Sequence, residues 1–236
     1  MKTNGNCAVG YMNLDSDYDV NLYFIPTFQA VGSDLEVTFS QIKPNEDWID
    51  GNDWLGTIQY GGEEEAQLGF DGENWYVISV TDPACEWEEG QILNDVAVPA
   101  NRGMIVYSAA AAQMNVAGEV VRGDSELFTD YDVNCYTGNF TPVAITLGDL
   151  IPNEDWIDGN DWLGTIQLGG EENFAFGFDG ENWYLMSSTS GDECYDKDGN
   201  LIEEGGNANN FEVAAGQGLI VYSAAAATIT IPGAID

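Results

Sequence analysis

The chain has 236 residues, 44% of them hydrophobic, and sets 41 acidic side chains against Lys2, Lys43, Arg102, Arg122 and Lys197, a net charge of −36. Such a charge repels phosphate backbones and anionic lipid, which argues against nucleic acid as a partner, and no stretch is long and apolar enough to insert into a membrane. There is no histidine, which removes the usual general base, every Ser-His or Cys-His nucleophile pair and the commonest zinc ligand.

In chain order, Met1–Ala8 reads as a loose start. It lacks the apolar run of a signal peptide, so an exported protein would have lost its signal before this point. Asn21–Pro26 and Leu35–Ile42 are rich in Val, Phe and Tyr and read as strands. Pro44–Tyr76 follows, and its text returns without a gap at Pro152–Tyr184. Only Tyr60, Glu65, Ala66, Gln67 and Leu68 differ, replaced by Leu168, Asn173, Phe174, Ala175 and Phe176. Within the segment, Trp54–Tyr60 and Ala66–Phe70 are expected strands, with Gly61-Gly62 and three glutamates as the turn between them. Asp71-Gly72-Glu73-Asn74 is a hairpin connection, and Trp75–Val80 is a third strand. Gly103–Ala112 (GMIVYSAAAA) repeats as Gly218–Ala227 (GLIVYSAAAA). The closing strands are Gln113–Val120 and Thr228–Ile235, and the second copy offers Tyr136–Phe140 and Val143–Leu147. No helical periodicity is sustained. Roughly eight short strands per copy, spaced by turn signals, is the pattern of sandwiches and barrels. The expected fold is therefore all-β: two tandem homologous β-sandwich or barrel-like modules related by internal duplication, spanning 1–118 and 119–236. A strand at Gln113–Val121, where one copy runs into the next, suggests that modules could also stack across chains.

Five cations cannot pair 41 carboxylates, so most acids are either solvated in a salt-adapted surface or neutralised by bound cations. The densest cluster is NEDWIDGNDW. Asp47, Asp50, Asn52 and Asp53, with Asp155, Asp158, Asn160 and Asp161 in the second copy, crowd a Gly-containing turn. That donor set suits a hard cation such as Ca2+, which takes six to eight oxygens. The spacing is not that of an EF-hand, and the same residues also suit an acidic surface turn anchored by its tryptophans. Trp48 and Trp156 lie inside these turns and could stack on sugar rings, whereas Trp54, Trp75, Trp162 and Trp183 begin strands and are expected in the core. Asp196-Lys-Asp-Gly-Asn200 reads as an Asp-Gly hairpin turn. No Cys-x-x-Cys pair occurs. Cys85 and Cys194 occupy matching places after the repeated tryptophans, which favours one disulfide per copy, Cys7–Cys85 and Cys135–Cys194, in an oxidising compartment.

The closing Gly216–Ser223 pattern (Gly-x-Gly-Leu-Ile-Val-Tyr-Ser), the alternating strand after it and the opening Val9-Gly10-Tyr11 resemble uncharacterised exported bacterial proteins built of tandem β-rich repeats. That resemblance implies export and a surface location, with no activity to carry over. The expected function is that of a secreted or cell-surface, non-catalytic structural or adhesive protein, cation-stabilised and able to self-assemble. Its partners would be itself, other surface proteins or polysaccharide. Two further readings stand beside it: a pair of calcium-dependent carbohydrate-binding modules, and a glycosidase using two carboxylates.

Overall fold

Strand-forming alternation accounts for nearly all the regular structure. The computed structural model describes residues 2–4, 7–16, 21–22, 38–44, 55–60, 63–83, 85–97, 104–107, 112–119, 123–129, 133–139, 143–153, 163–168, 171–188, 191–215, 217–223 and 227–233. Among these, the helical elements are two three-residue 3-10 turns, Phe39–Gln41 and Leu147–Asp149.

In the first half the strands are β1 (Lys2–Asn4), β2 (Cys7–Ser16), β3 (Asn21–Leu22), β4 (Lys43–Pro44), β5 (Leu55–Tyr60), β6 (Glu63–Phe70), β7 (Trp75–Val80), β8 (Met104–Tyr107) and β9 (Ala112–Glu119). They form a four-stranded sheet, β1-β2-β9-β4, and a five-stranded sheet, β3-β8-β5-β6-β7. In the second half come β10 (Ser125–Thr129), β11 (Val133–Gly138), β12 (Ile145–Thr146), β13 (Ile151–Pro152), β14 (Leu163–Leu168), β15 (Glu171–Phe178), β16 (Trp183–Ser188), β17 (Cys194–Tyr195), β18 (Leu201–Ile202), β19 (Glu212–Val213), β20 (Gly218–Ser223) and β21 (Ala227–Ile231). These give the sheets β10-β21-β13 and β11-β20-β14-β15-β16, with two small ladders, β12-β19 and β17-β18. The strand order β3-β8-β5-β6-β7 thus has its counterpart in β11-β20-β14-β15-β16. Registers agree as well: Leu55 faces Tyr107 as Leu163 faces Tyr222, and Pro44 faces Met114 as Pro152 faces Ile229. Even the irregularities coincide, with bulges after Ile58 and Gln67 and after Ile166 and Ala175.

Several expected elements are corrected. The first residues are not loose: β1 and β2 form a hairpin that pairs Asn4 with Cys7. Glu63 and Glu64 belong to β6, paired with Tyr60 and Gln59, and do not form a turn. Phe39–Gln41 is a 3-10 turn and not a strand, because Thr38 and Gln41 close a capping box in which the Thr38 N–H donates to Gln41 Oε1 at 2.7 Å. Leu147 is likewise drawn into a turn by Asp149, which accepts from the Thr146 N–H. Strand β9 pairs along its length with β2 and also with β4, so it lies inside the first half's sheet.

In the second half, the buried core gathers Ile229 and Ile231 from β21, Phe174, Phe176, Leu185, Leu219 and Val221 from the five-stranded sheet, and Val213, Cys194 and Ile202 from the small ladders. Two of the differences within the repeated text, Ala66 to Phe174 and Leu68 to Phe176, fall in the core. The first half buries Ala66 and Leu68 and fills the space with Phe39, whose ring meets Trp75 at 6.2 Å and Trp87 at 5.9 Å. The second half has the smaller Leu147 at the position of Phe39 and carries its bulk in Phe174 and Phe176, against Phe211 at 5.8 and 4.9 Å. Volume is redistributed between facing positions, the kind of change a packed core tolerates.

The second half closes on itself where Pro232-Gly233 passes over Gly123, so closely that a Cβ on Gly233 would fall on the Gly123 backbone. The first half makes the corresponding approach as the cross-strand pair Gly10 and Gly118. Gly233→Ala is expected to force the backbones apart and cost about 1–3 kcal/mol, read as a lower denaturant midpoint at unchanged slope.

Candidate functional site

Each NEDWIDGNDW segment is strung between two sheets. In the first half it leaves β4, which pairs with β9, and enters β5, which pairs with β8. In the second it leaves β13, paired with β21, and enters β14, paired with β20. The expected ligands Asp47, Asp50, Asn52, Asp53, Asp155, Asp158, Asn160 and Asp161 lie outside the described residues. So do Trp48, Trp54, Trp156 and Trp162. The structure does describe the frame that holds both ends of these loops.

The frame begins at the Asp-Gly-Glu-Asn hairpin. Asp71 Oδ1 accepts from the N–H groups of Glu73 and Asn74 at 2.9 and 2.7 Å, and Asp179 Oδ1 accepts from Glu181 and Asn182 at 2.9 and 2.8 Å. These backbone donors hold both carboxyls below their ordinary value of 3.8, because hydrogen bonds to the charged form favour it. The turns are supported by Gly72 and Gly180, which adopt positive φ. Each hairpin delivers a tryptophan into the core, and a distant asparagine fixes it there. Asn94 Oδ1 accepts from the Trp75 N–H at 2.9 Å while its Nδ2 donates to Asn74 Oδ1 at 2.9 Å. Asn209 does the same for Trp183 and Asn182 at 2.7 and 2.7 Å.

The indole then reaches the run-in to the acidic loop. Trp75 Nε1 donates to the Ile42 carbonyl at 3.0 Å, and Trp183 Nε1 donates to the Leu150 carbonyl at 3.0 Å. Ile42 precedes Asn45 by three residues, as Leu150 precedes Asn153. In the second copy, Asn153 is itself tied to β21, its N–H donating to the Thr228 carbonyl at 3.0 Å. The expectation that Trp75 and Trp183 are core residues is met: they are 0% and 3% exposed. The asparagine clamps were not anticipated from sequence. Their signal was present in Asn94 and Asn209, which recur at the offset that relates the two Gly-hydrophobic-Ile-Val-Tyr-Ser strands.

The turn at Asp196–Asn200 is a hairpin tip. Asp196 Oδ1 accepts from the N–H groups of Asp198 and Asn200, and Asn200 Nδ2 donates to the same carboxylate at 2.9 Å. The Asn200 side chain, and then its N–H, holds the Asp196 carboxyl below the usual range.

The cysteine expectation is corrected where it can be read. No disulfide forms at Cys85 or Cys194. The Cys194 thiol is buried in the core, and desolvation pushes it up to about 11. Cys135 lies on β11, across the five-stranded sheet from β16, which leads towards Cys194. Its side chain and that of Cys7 lie outside the described residues.

Among the described residues, no group of three or more His, Cys, Asp or Glu side chains is placed to hold a metal ion, and no helix is long and apolar enough to cross a membrane. No family model, curated protein or solved structure matches the chain.

Trp183→Phe keeps an apolar ring but leaves the buried Leu150 carbonyl without its donor. The expected cost is about 1–3 kcal/mol, measured as a lower urea midpoint, and Trp75→Phe should lose a similar amount.

Proposed function

We propose that this chain is a secreted or cell-surface, non-catalytic structural or adhesive protein, built of two homologous β modules that arose by internal duplication. Each module presents one acidic loop that takes up calcium. The observation that carries this reading is the repeated frame. The same indole-to-carbonyl bond, the same Asp turn and the same asparagine clamp accompany an identical acidic segment, joined to identically registered strands. Rigid framing of an oxygen-rich loop is what a hard-cation site requires, since affinity follows ligand charge and the rigidity of the site.

Among the described residues, the carboxylates with displaced titration fit a scaffold. Asp71, Asp179 and Asp196 are all displaced downward by hydrogen-bond donors within their own turns. A general acid needs the opposite, a carboxyl held protonated near neutral pH. Calcium in the loops would offset part of the −36 charge and so relieve the self-repulsion that opposes folding at low salt.

The test is thermal unfolding with light scattering in EDTA, in millimolar calcium, and in molar sodium chloride with EDTA. Calcium is expected to raise the midpoint at concentrations too low to screen charge, by the mass-action term of a ligand that binds only the folded state. Asp50→Asn with Asp158→Asn should remove that rise. A midpoint that responds only to molar salt would leave the acids as a solvated, salt-adapted surface and would overturn the calcium loops.

A further inference from the structure

On the outer face of β7, opposite buried Trp75 and Val77, three apolar side chains lie together. Tyr76 and Ile78 both cross the bare backbone of Gly69. A Cβ placed there would meet Ile78 Cδ1 at 2.8 Å and Tyr76 Cζ at 3.1 Å. Ile92 sits directly across from Tyr76 as its antiparallel partner, and partners so opposed share one face. Ile78 is 40% exposed and Ile92 60%. Isolated exposed aliphatics are ordinary on any surface, but adjacent ones mark a contact site.

The backbone turns Ile78 outward on purpose of register. Val77 pairs with Leu68 and Ser79 with Gln67, so Ile78 is the extra residue of a bulge, a device that re-aims a side chain. The second half repeats it: Leu185 pairs with Phe176 and Ser187 with Ala175, leaving Met186 as the extra residue, 57% exposed.

The neighbourhood is acidic. The turn at 88–91 runs along β7, with the Gly90 N–H donating to the Val77 carbonyl at 2.8 Å and the Val77 N–H donating to the Gln91 carbonyl at 2.9 Å. This turn carries the exposed Glu88 and Glu89, four and three residues before Ile92, next to the edge of β7. It also occupies the edge of β7 at Val77, so a partner would lie on the face and not add as a strand at that point.

We infer that the Tyr76–Ile78–Ile92 face is a docking site for a lysine- or arginine-rich peptide segment that carries an aliphatic side chain. Charge complementarity selects this occupant. A second copy would bring its own Glu88 and Glu89 and another −36 against the first, whereas a cationic segment is steered in by the whole field and satisfies these glutamates while its aliphatic side chain covers the isoleucines. The site gives the adhesive reading a partner and rests on that reading only for where the partner is met. It does not use the calcium loops.

The experiment uses the full chain in EDTA at physiological salt, so that failure of the calcium loops leaves this result standing. Two short fluorescent peptides of equal charge are compared by polarisation, one alternating Lys and Leu, the other alternating Lys and Ser. The Lys-Leu peptide is expected to bind about tenfold more tightly, the scale set by covering two half-exposed aliphatic side chains. Ile78→Ser with Ile92→Ser should abolish that difference, while Ile151→Ser, at an exposed isoleucine on β13, should keep it. Both variants replace exposed side chains, and unchanged unfolding midpoints verify that they fold. Equal binding of the two peptides, no binding of either, or a preference that survives in the double variant would each overturn the proposal.

Discussion

A single hydrogen bond, made twice, sets the geometry on which the rest depends. The indole N–H of Trp75 reaches the Ile42 carbonyl, and that of Trp183 reaches the Leu150 carbonyl. Both carbonyls lie in extended backbone just after a 3-10 turn. In the apolar interior an orphaned carbonyl is costly, so the two groups bring the hairpin and the run-in to the acidic loop together. The tryptophan also supplies a large apolar surface to the core. One side chain therefore ties the packing of the interior to the backbone that leads into the acidic segment.

The surroundings of that bond show which features are fixed and which are free to change. The Asp turn, the asparagine clamp and the indole bond are the same in both halves, while the core beside them is rebuilt. Bulk moves from Phe39 in the first half to Phe174, Phe176 and Phe211 in the second. Hydrogen bonds demand specific partners in specific directions, whereas apolar packing demands volume. Ala66 and Leu68, replaced by Phe174 and Phe176, are core positions, and the five substitutions in the repeated text spare every polar group of the frame. The halves also touch reciprocally: β11 lies against β5, and β3 lies against β14. Since β3 and β11 hold the same place in their sheets, as do β5 and β14, each half presents the same kind of contact to the other.

Much of this was legible in the sequence, because its signals are local. The Asp-Gly hairpins, the Trp75–Val80 strand and the buried fate of Trp75 and Trp183 follow from period-two alternation and turn chemistry. Less legible were features that depend on partners far along the chain. Phe39–Gln41 and Leu147 look like strand residues until Gln41 and Asp149 fold back on Thr38 and Thr146. Glu63 and Glu64 read as a turn because charge masks their pairing with Tyr60 and Gln59. The asparagines that fix Trp75 and Trp183 lie 19 and 26 residues away, beyond any local pattern. Matching positions suggested a disulfide role for Cys85 and Cys194. Spacing, however, carries no information on which element a thiol faces, and Cys194 turns into the core.

The charge connects fold to function. Few cations answer its carboxylates, and the frame fixes the backbone that leads into each acidic segment. The central claim is that the indole bonds lock that frame, and native-state hydrogen exchange of the two indole N–H groups tests it most directly. If the frame is locked, the Trp75 and Trp183 Nε1 protons exchange only with global unfolding, among the slowest in the protein, and their exchange follows the unfolding free energy as denaturant is added. Exchange of either proton by local opening, at a rate indifferent to low denaturant, would contradict it.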